Sequence, residues 1–167
     1  MIHPSVFSLL LGFATLSTAL VAGLVFTFAV IIMPGIAKLD DRGFVRAFQV
    51  IDGIIQNGQP IFGLVWLGSI LSLCAVSILG LWQLEGLPKW LLLSANLLYI
   101  SGVQLPTFGI NVPLNNQLQT IVVAESGEDT IRQAREHFEE SWNLANRFRT
   151  YAAILVVVML LLVLFLL

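Results

Sequence analysis

Two polar segments, far apart in the sequence, carry the side chains that could take part in chemistry. The first reads Asn111-Val-Pro-Leu-Asn-Asn116, and the second reads Trp142-Asn-Leu-Ala-Asn-Arg-Phe-Arg149. Trp142, Asn146 and Arg149 are spaced by four and three residues, so they share one side of a helix. Arginine can hold an anionic or phenolate oxygen, tryptophan can stack on a planar ring, and asparagine can orient a carbonyl group. The two segments therefore predict a binding site for a small planar apolar or phenolic molecule.

Long apolar runs determine where these segments lie. Of all residues, 57% are hydrophobic and 11% are charged, against roughly 45–50% and about 25% in soluble proteins. Four runs, at residues 6–33, 60–81, 90–110 and 151–167, reach or approach the roughly 17–25 residues that cross a bilayer. A spanning segment must satisfy its backbone hydrogen bonds internally, so each run is predicted to be a helix, the first beginning near Pro4. The chain is therefore predicted to be an all-α integral membrane four-helix bundle, a single domain over residues 1–167.

Two further helical segments are predicted outside the spans. Loop 1, between the first two spans, contains an apolar stripe with spacings of four, three and four residues. The members of this stripe are Phe44, Phe48, Ile51 and Ile55. The stripe predicts an amphipathic interfacial helix with its apolar side toward the membrane, and Asp52 is assigned to another face. No residue that breaks a helix occurs from Asp129 onward, so the fourth helix is predicted to begin as a cytoplasmic extension before its span.

The third and fourth spans are predicted to bring the two polar segments together. Pro106 lacks an amide hydrogen and crowds the carbonyl of Gly102, which predicts a kink, and Pro34 is predicted to end the first helix. If the third and fourth helices pack together, five polar or aromatic side chains converge at the membrane edge. These are Asn111, Asn115, Trp142, Asn146 and Arg149. In the alternative interpretation, the arginine contacts lipid headgroups, the tryptophan is an interfacial anchor and the asparagines cap helix ends.

The positions of the positive charges predict the orientation in the membrane. Loop 1 carries Lys38, Arg42 and Arg46; loop 3, between the third and fourth spans, carries Arg132, Arg135, Arg147 and Arg149; and loop 2 carries Lys89. Basic residues concentrate in cytoplasmic loops. Loops 1 and 3 are therefore predicted to be cytoplasmic, with both termini outside.

Several function classes are disfavoured by composition. A net charge of −2 does not suit nucleic acid, which requires a basic patch. Cys74 is the only cysteine, and His3 and His137 are predicted to lie on opposite sides of the membrane, so no metal site is predicted. No charged residue lies within a predicted span, which disfavours an ion-coupled transporter.

Short motifs occur in a characteristic order over nearly the full chain. They are Ala22-Gly-Leu24 with Met33-Pro34, Phe44-Val-Arg-Ala-Phe-Gln49 with Gln56-Asn57, Asn111-Val-Pro-Leu-Asn-Asn116, and Trp142, Asn146 and Arg149-Thr150. As an ordered set, they resemble the anthrone oxygenase-like family of small four-helix membrane proteins. Where that family commonly has Trp-Asn-His-x-Arg, this chain has Ala145-Asn-Arg-Phe-Arg149, so no histidine is present at that position.

The resemblance implies a reaction and a set of site residues. Some relatives oxidise anthrones to anthraquinones with molecular oxygen and no evident metal or flavin, so no cofactor is expected. By the same resemblance, Arg149 and Asn146 are expected to be catalytic. Substrate-binding roles are expected for Asn111, Asn115, Trp142, Gln49 and Asn57. The expected location is a bacterial inner membrane.

Two functions therefore remain open. The first is a cofactor-independent oxygenase for a planar phenolic or anthrone-like substrate at the cytoplasmic membrane interface, with Arg149 as the counter-charge of the substrate anion. The second is a non-enzymatic membrane protein that binds a lipid, a quinone-like ligand or a protein partner. Membrane lipids are expected partners in both cases, and a homo-oligomer is compatible with the sequence.

Overall fold

Five α-helices form most of the chain in the computed structural model, which describes residues 5–167. They are α1 (Val6–Ile36), α2 (Asp41–Gln56), α3 (Pro60–Gln83), α4 (Gly86–Gln119) and α5 (Glu128–Leu166). Helices α1, α3, α4 and α5 are long and apolar enough to cross a membrane. This finding confirms the predicted all-α four-helix membrane bundle. Pro4, where the first helix is predicted to begin, and His3 lie outside the described residues.

Local sequence signals fix the ends of the helices around α2. The side chain of Asp40 accepts a hydrogen bond of 2.8 Å from the amide of Gly43 and so caps the start of α2. Gly58, with φ of 79°, follows the end of α2, where a left-handed residue lets the chain turn away. The side chain of Gln59 then accepts a bond of 2.7 Å from the amide of Phe62 at the start of α3.

The membrane-spanning helices enclose an apolar core. Helix α1 packs against α3 and α5, and α4 packs against the same two helices. Fully buried side chains fill the space between them, among them Leu11, Leu73, Leu92, Tyr99 and Val156. Small residues allow the closest approaches, as they commonly do between membrane helices.

Gly102 of α4 faces Ala152 of α5 at short range. A Cβ atom at Gly102 would lie 2.9 Å from the Cβ of Ala152 on α5. Alanine at this position would therefore push the two backbones apart. We expect Gly102→Ala to reduce the free energy of unfolding by about 1–3 kcal/mol, measured as a lower melting temperature of the detergent-solubilised protein.

Gly109 provides the matched control for this substitution. It lies in the same helix, but a Cβ there would meet no atom within 4 Å. Because alanine has the higher helix propensity, Gly109→Ala should leave the melting temperature unchanged or raise it. Equal melting temperatures for the two variants would contradict the close contact between α4 and α5.

Three prolines lie inside continuous helices, each preceded by a wider turn. Helix α1 runs through Pro34 to Ile36, and α4 runs through Pro106 and Pro113 to Gln119. Before each proline, one turn has π-helical hydrogen bonds, at Phe28–Ile32, Ile100–Gln104 and Thr107–Asn111. The wider turn accommodates the loss of the proline amide. The predicted end of the first helix at Pro34 is therefore wrong, and the Asn111–Asn116 segment is helical rather than a loop.

Helix α2 packs on the extension of α5. As predicted, α5 is one uninterrupted helix of 39 residues. Phe44 and Phe48 of α2 lie with their ring centroids 6.2 and 4.5 Å from that of Phe138 on α5. The apolar stripe of α2 was predicted to face the membrane, but it faces protein, because its phenylalanines pack against Phe138 on the extension of α5. Asp52, which was assigned to another face, is buried on the same side.

Two arginines bind the two segments that connect α1 to α2 and α4 to α5. Arg135 of α5 donates to the carbonyls of Ala37 and Leu39, each at 3.0 Å, and forms ion pairs with Asp41 and Glu139. Arg42 donates to the carbonyls of Val123 and Ser126 and pairs with Glu128. These side chains therefore have structural partners within the protein.

Candidate functional site

A pocket of about 670 Å³, including its open mouth, lies where α2 covers the end of the four-helix bundle. Most of its wall is apolar or aromatic, and this part consists of Leu24, Val25, Phe28, Phe48, Ile55, Phe62, Trp66, Phe108, Val112 and Trp142. Its polar groups come from Asp52, Thr107, Asn111, Asn115 and Arg149. An apolar cavity with a few polar groups is the usual form of a small-molecule site.

Arg149 carries a buried positive charge at the wall of this pocket. The residue is only 6% exposed. Its Nε donates to Oδ1 of Asn146 at 2.9 Å, and its Nη1 donates to Oγ1 of Thr107 at 3.1 Å. No carboxylate of residues 5–167 forms an ion pair with it. Burial of a charge without a counter-ion is costly, and this arrangement suits an arginine that receives an anionic ligand.

Asn111 presents a hydrogen-bond acceptor without a partner. Its Nδ2 donates to the backbone carbonyl of Trp142 at 3.2 Å, and because a carbonyl only accepts, this contact fixes the orientation of the amide. Its Oδ1 is buried and has no hydrogen-bond partner within residues 5–167. Buried polar atoms are nearly always bonded, so this oxygen can accept a hydrogen bond from a ligand hydroxyl.

A line of hydrogen bonds joins Trp142 on α5 to Asn115 on α4 and Asp52 on α2. The indole Nε1 of Trp142 donates to Oδ1 of Asn115 at 2.7 Å, and Nδ2 of Asn115 donates to Oδ1 of Asp52 at 2.8 Å. The indole also packs against Phe28 and Phe48, with ring centroids 5.6 and 5.5 Å away. These contacts hold one wall of the pocket in a single arrangement.

Asp52 is a pocket residue that was not predicted from the sequence. It is 3% exposed, and its Oδ2 accepts hydrogen bonds from Gln119 at 2.9 Å and from Gln56 at 3.0 Å. No lysine, arginine or histidine within the described part of the chain forms an ion pair with it. A signal was present, because Asp52 follows Phe44 and Phe48 at helical spacing and continues their face.

Three of the predicted site residues do not line the pocket. Asn146 is buried behind Arg149, and its Nδ2 donates to the carbonyl of Val25 on α1 at 3.1 Å. Gln49 donates to the carbonyls of Leu118 and Ile121 and so fixes the end of α4, and Asn57 is exposed just after α2. The pocket brings together the other four, which are Asn111, Asn115, Trp142 and Arg149.

The side chains that most often bind metals are dispersed. Within residues 5–167, no three or more His, Cys, Asp or Glu side chains are grouped so that they could hold a metal ion. His137 is exposed on α5, and the thiol of Cys74 lies 3.7 Å from Oδ1 of Asn96 inside the bundle. The polar groups of the pocket suit an organic molecule with an anionic or carbonyl oxygen.

Comparison with known proteins identifies a family that this chain matches. A family model described as anthrone oxygenase matches residues 53–159, more than half of the chain. The match begins within α2 and ends within α5, so it includes Thr107, Asn111, Asn115, Trp142 and Arg149. No match was found among curated proteins or among solved structures.

Proposed function

Because the chain belongs to the anthrone oxygenase family, we propose that it is a cofactor-independent oxygenase for a planar phenolic or anthrone-like substrate. The observation that carries this proposal is Arg149, a buried cation at the wall of an aromatic pocket that forms no ion pair with any carboxylate of residues 5–167. A substrate whose anion forms during the reaction would provide the missing negative charge.

The proposed chemistry follows from the acidity of the substrate. Loss of a proton from a methylene group opposite a carbonyl gives an anion that is delocalised over the rings and has much of its charge on the oxygen. Such an electron-rich anion can reduce molecular oxygen directly. The guanidinium of Arg149 stabilises the developing oxyanion, which is often the largest single contribution to catalysis.

The remaining pocket groups bind and orient the substrate in this proposal. The rings of Phe28, Phe48 and Trp142 provide an apolar surface for a flat aromatic molecule. The free Oδ1 of Asn111 accepts a hydrogen bond from a phenolic hydroxyl. Such a contact distinguishes a hydroxylated ring system from a plain hydrocarbon, because the hydrocarbon would leave the buried acceptor unpaired.

We place the pocket at the membrane interface, with access from the lipid. Phe108, which is 58% exposed, and the half-buried Phe62 lie at the pocket wall, where a membrane would bring lipid chains against them. A lipophilic substrate could therefore enter sideways from the bilayer. The basic residues of loops 1 and 3 support a cytoplasmic location of this end, with both termini outside, and by family resemblance the membrane is the bacterial inner membrane.

Oxygen uptake by the purified protein tests this function. Detergent-solubilised protein is mixed with an anthrone, and oxygen consumption and quinone absorbance are followed together. The expected ratio is one O₂ consumed for each quinone formed, at a rate above the protein-free reaction. A rate equal to the protein-free reaction would contradict the proposal. Tight anthrone binding without oxygen uptake would instead indicate a ligand-binding membrane protein.

Asn111→Ala tests the proposed position of the substrate hydroxyl. Loss of one hydrogen bond of about 1–1.5 kcal/mol should raise KM for a hydroxylated anthrone by about 10-fold. Asn143→Ala is the matched control, because Asn143 is next to Trp142 on α5 but lines a different depression. Its KM should stay at the wild-type value. An equal KM for both variants would remove Asn111 from the site.

A further inference from the structure

We propose that Asp52 is the catalytic base that removes the proton from the substrate carbon. This inference rests on the proposed function, which requires a base. His137, the one histidine among residues 5–167, is exposed on α5 and does not line the pocket. Of the described residues that line the pocket, Asp52 is the one with a carboxylate.

Asp52 and Arg149 carry opposite charges and line the same pocket without forming an ion pair with each other. Both are buried and both line the pocket, but no ion pair joins them. One lies on α2 and the other on α5, and within the described residues the hydrogen-bond partners of each side chain are uncharged. Such a cavity suits a molecule with an acidic C–H bond on one side and a carbonyl oxygen on the other.

The hydrogen bonds of Asp52 orient its carboxylate and identify the reactive oxygen. Oδ2 accepts two amide hydrogen bonds, from Gln56 and Gln119, whereas Oδ1 accepts one, from Asn115. A carboxylate oxygen has two acceptor positions. Oδ1 therefore keeps one position for the substrate proton. The three donors are neutral amides, so they hold the carboxylate in place without bringing an opposite charge to it.

The proposed step accounts for every atom and electron. Asp52 takes one methylene proton, and the electron pair of that bond delocalises toward the carbonyl oxygen at Arg149. The anion transfers one electron to O₂, and the two radicals combine at the same carbon to form a peroxide anion. Protonated Asp52 returns the proton to the outer peroxide oxygen.

A second proton transfer then completes the reaction. Asp52 removes the remaining proton from that carbon, the C–H electron pair becomes the carbonyl π bond, and the O–O bond breaks. The hydroxide that leaves takes the proton from Asp52 and forms water. One methylene group and one O₂ give one carbonyl and one water, so no further oxidant or reductant is needed.

Exchange of the substrate methylene protons in oxygen-free D₂O tests Asp52 separately from oxygen chemistry. Wild-type protein should accelerate deuterium incorporation into the anthrone, measured by mass spectrometry. Asp52→Asn keeps the shape of the side chain but removes the base, and should reduce this acceleration by about 100-fold or more. Anthrone binding, followed by tryptophan fluorescence, should stay within a few fold of wild type. Glu140→Gln, an exposed carboxylate on α5, should exchange like wild type.

The outcomes separate this inference from the function on which it rests. Oxygen uptake by wild type with undiminished exchange in Asp52→Asn would overturn the role of Asp52 alone. Absence of both oxygen uptake and exchange in wild type would overturn the proposed function together with the base. If Asp52→Asn does not fold, Asp52→Ser also removes the carboxylate but keeps an oxygen that can accept a hydrogen bond from the neighbouring amides. Reduced exchange with retained binding in Asp52→Ser would support the base, and unchanged exchange would overturn it.

Discussion

Substitution of Arg149 by methionine is expected to reduce kcat/KM for anthrone oxidation by about 100- to 1,000-fold, the effect of removing one oxyanion donor from an active site. Methionine fills a similar volume without charge, so the substrate anion loses its stabilising cation while the pocket keeps its shape. The expected loss lies mainly in kcat, because the negative charge develops during the reaction. Oxygen uptake at saturating and limiting anthrone concentrations measures the two parameters separately.

The same substitution should leave stability close to that of wild type. Removal of a buried charge without a counter-ion is favourable, whereas Oδ1 of Asn146 loses the hydrogen bond it accepts from Arg149. These effects oppose each other, so the melting temperature should change by only a few degrees. A large loss of turnover with little loss of stability would separate a chemical role from a structural one.

Arg147→Met is the matched control on the same helix. Arg147 is exposed and does not line the pocket, but it carries the same charge and lies only two residues before Arg149. Its substitution should leave kcat and KM unchanged. If both variants lose turnover equally, the loss comes from the lower net positive charge near the membrane. The proposed specific role of Arg149 would then be wrong.

The architecture was predictable because a chain within a membrane has few ways to satisfy its backbone hydrogen bonds. Apolar runs of sufficient length must become helices, and helical spacing alone placed Trp142 and Arg149 on one face of α5. The absence of a helix-breaking residue predicted the uninterrupted extension of that helix. These inferences needed only composition and periodicity, and the structure places both residues at the same pocket.

The details that sequence did not reveal depend on partners from other helices. Asp52 was assigned to a face of α2 other than the apolar stripe, but it is buried there because the side-chain amides of Gln56, Asn115 and Gln119 donate hydrogen bonds to its carboxylate. Pro34 was expected to end a helix, but a π-helical turn before it lets α1 continue. Local spacing identifies the face of a helix but not what packs against that face.

Substitution of Trp142 by alanine is expected to give the largest loss of stability among the pocket residues. The indole is 2% exposed and contacts the rings of Phe28, Phe48 and Phe138. Truncation of a buried tryptophan costs about 3–5 kcal/mol, from lost transfer energy and the cavity that remains. The melting temperature of the detergent-solubilised protein should therefore fall strongly, and anthrone binding should fall with it because one wall of the pocket is lost.

Trp142→Phe separates the packing of the indole from its hydrogen bond. Phenylalanine keeps most of the aromatic contact but cannot donate to Oδ1 of Asn115, which is one of the three residues that donate to the carboxylate of Asp52. Stability should fall by only about 1–2 kcal/mol, while turnover falls more than binding because the carboxylate is less well held.

Trp90→Ala, at a tryptophan that is 66% exposed, controls for loss of an indole and should melt like wild type. If Trp142→Ala and Trp90→Ala melted at the same temperature, the contacts of Trp142 with Phe48 and Phe138 would not be what holds α2 against α5. Without that packing, Asp52 on α2 and Arg149 on α5 could not stay at a common pocket.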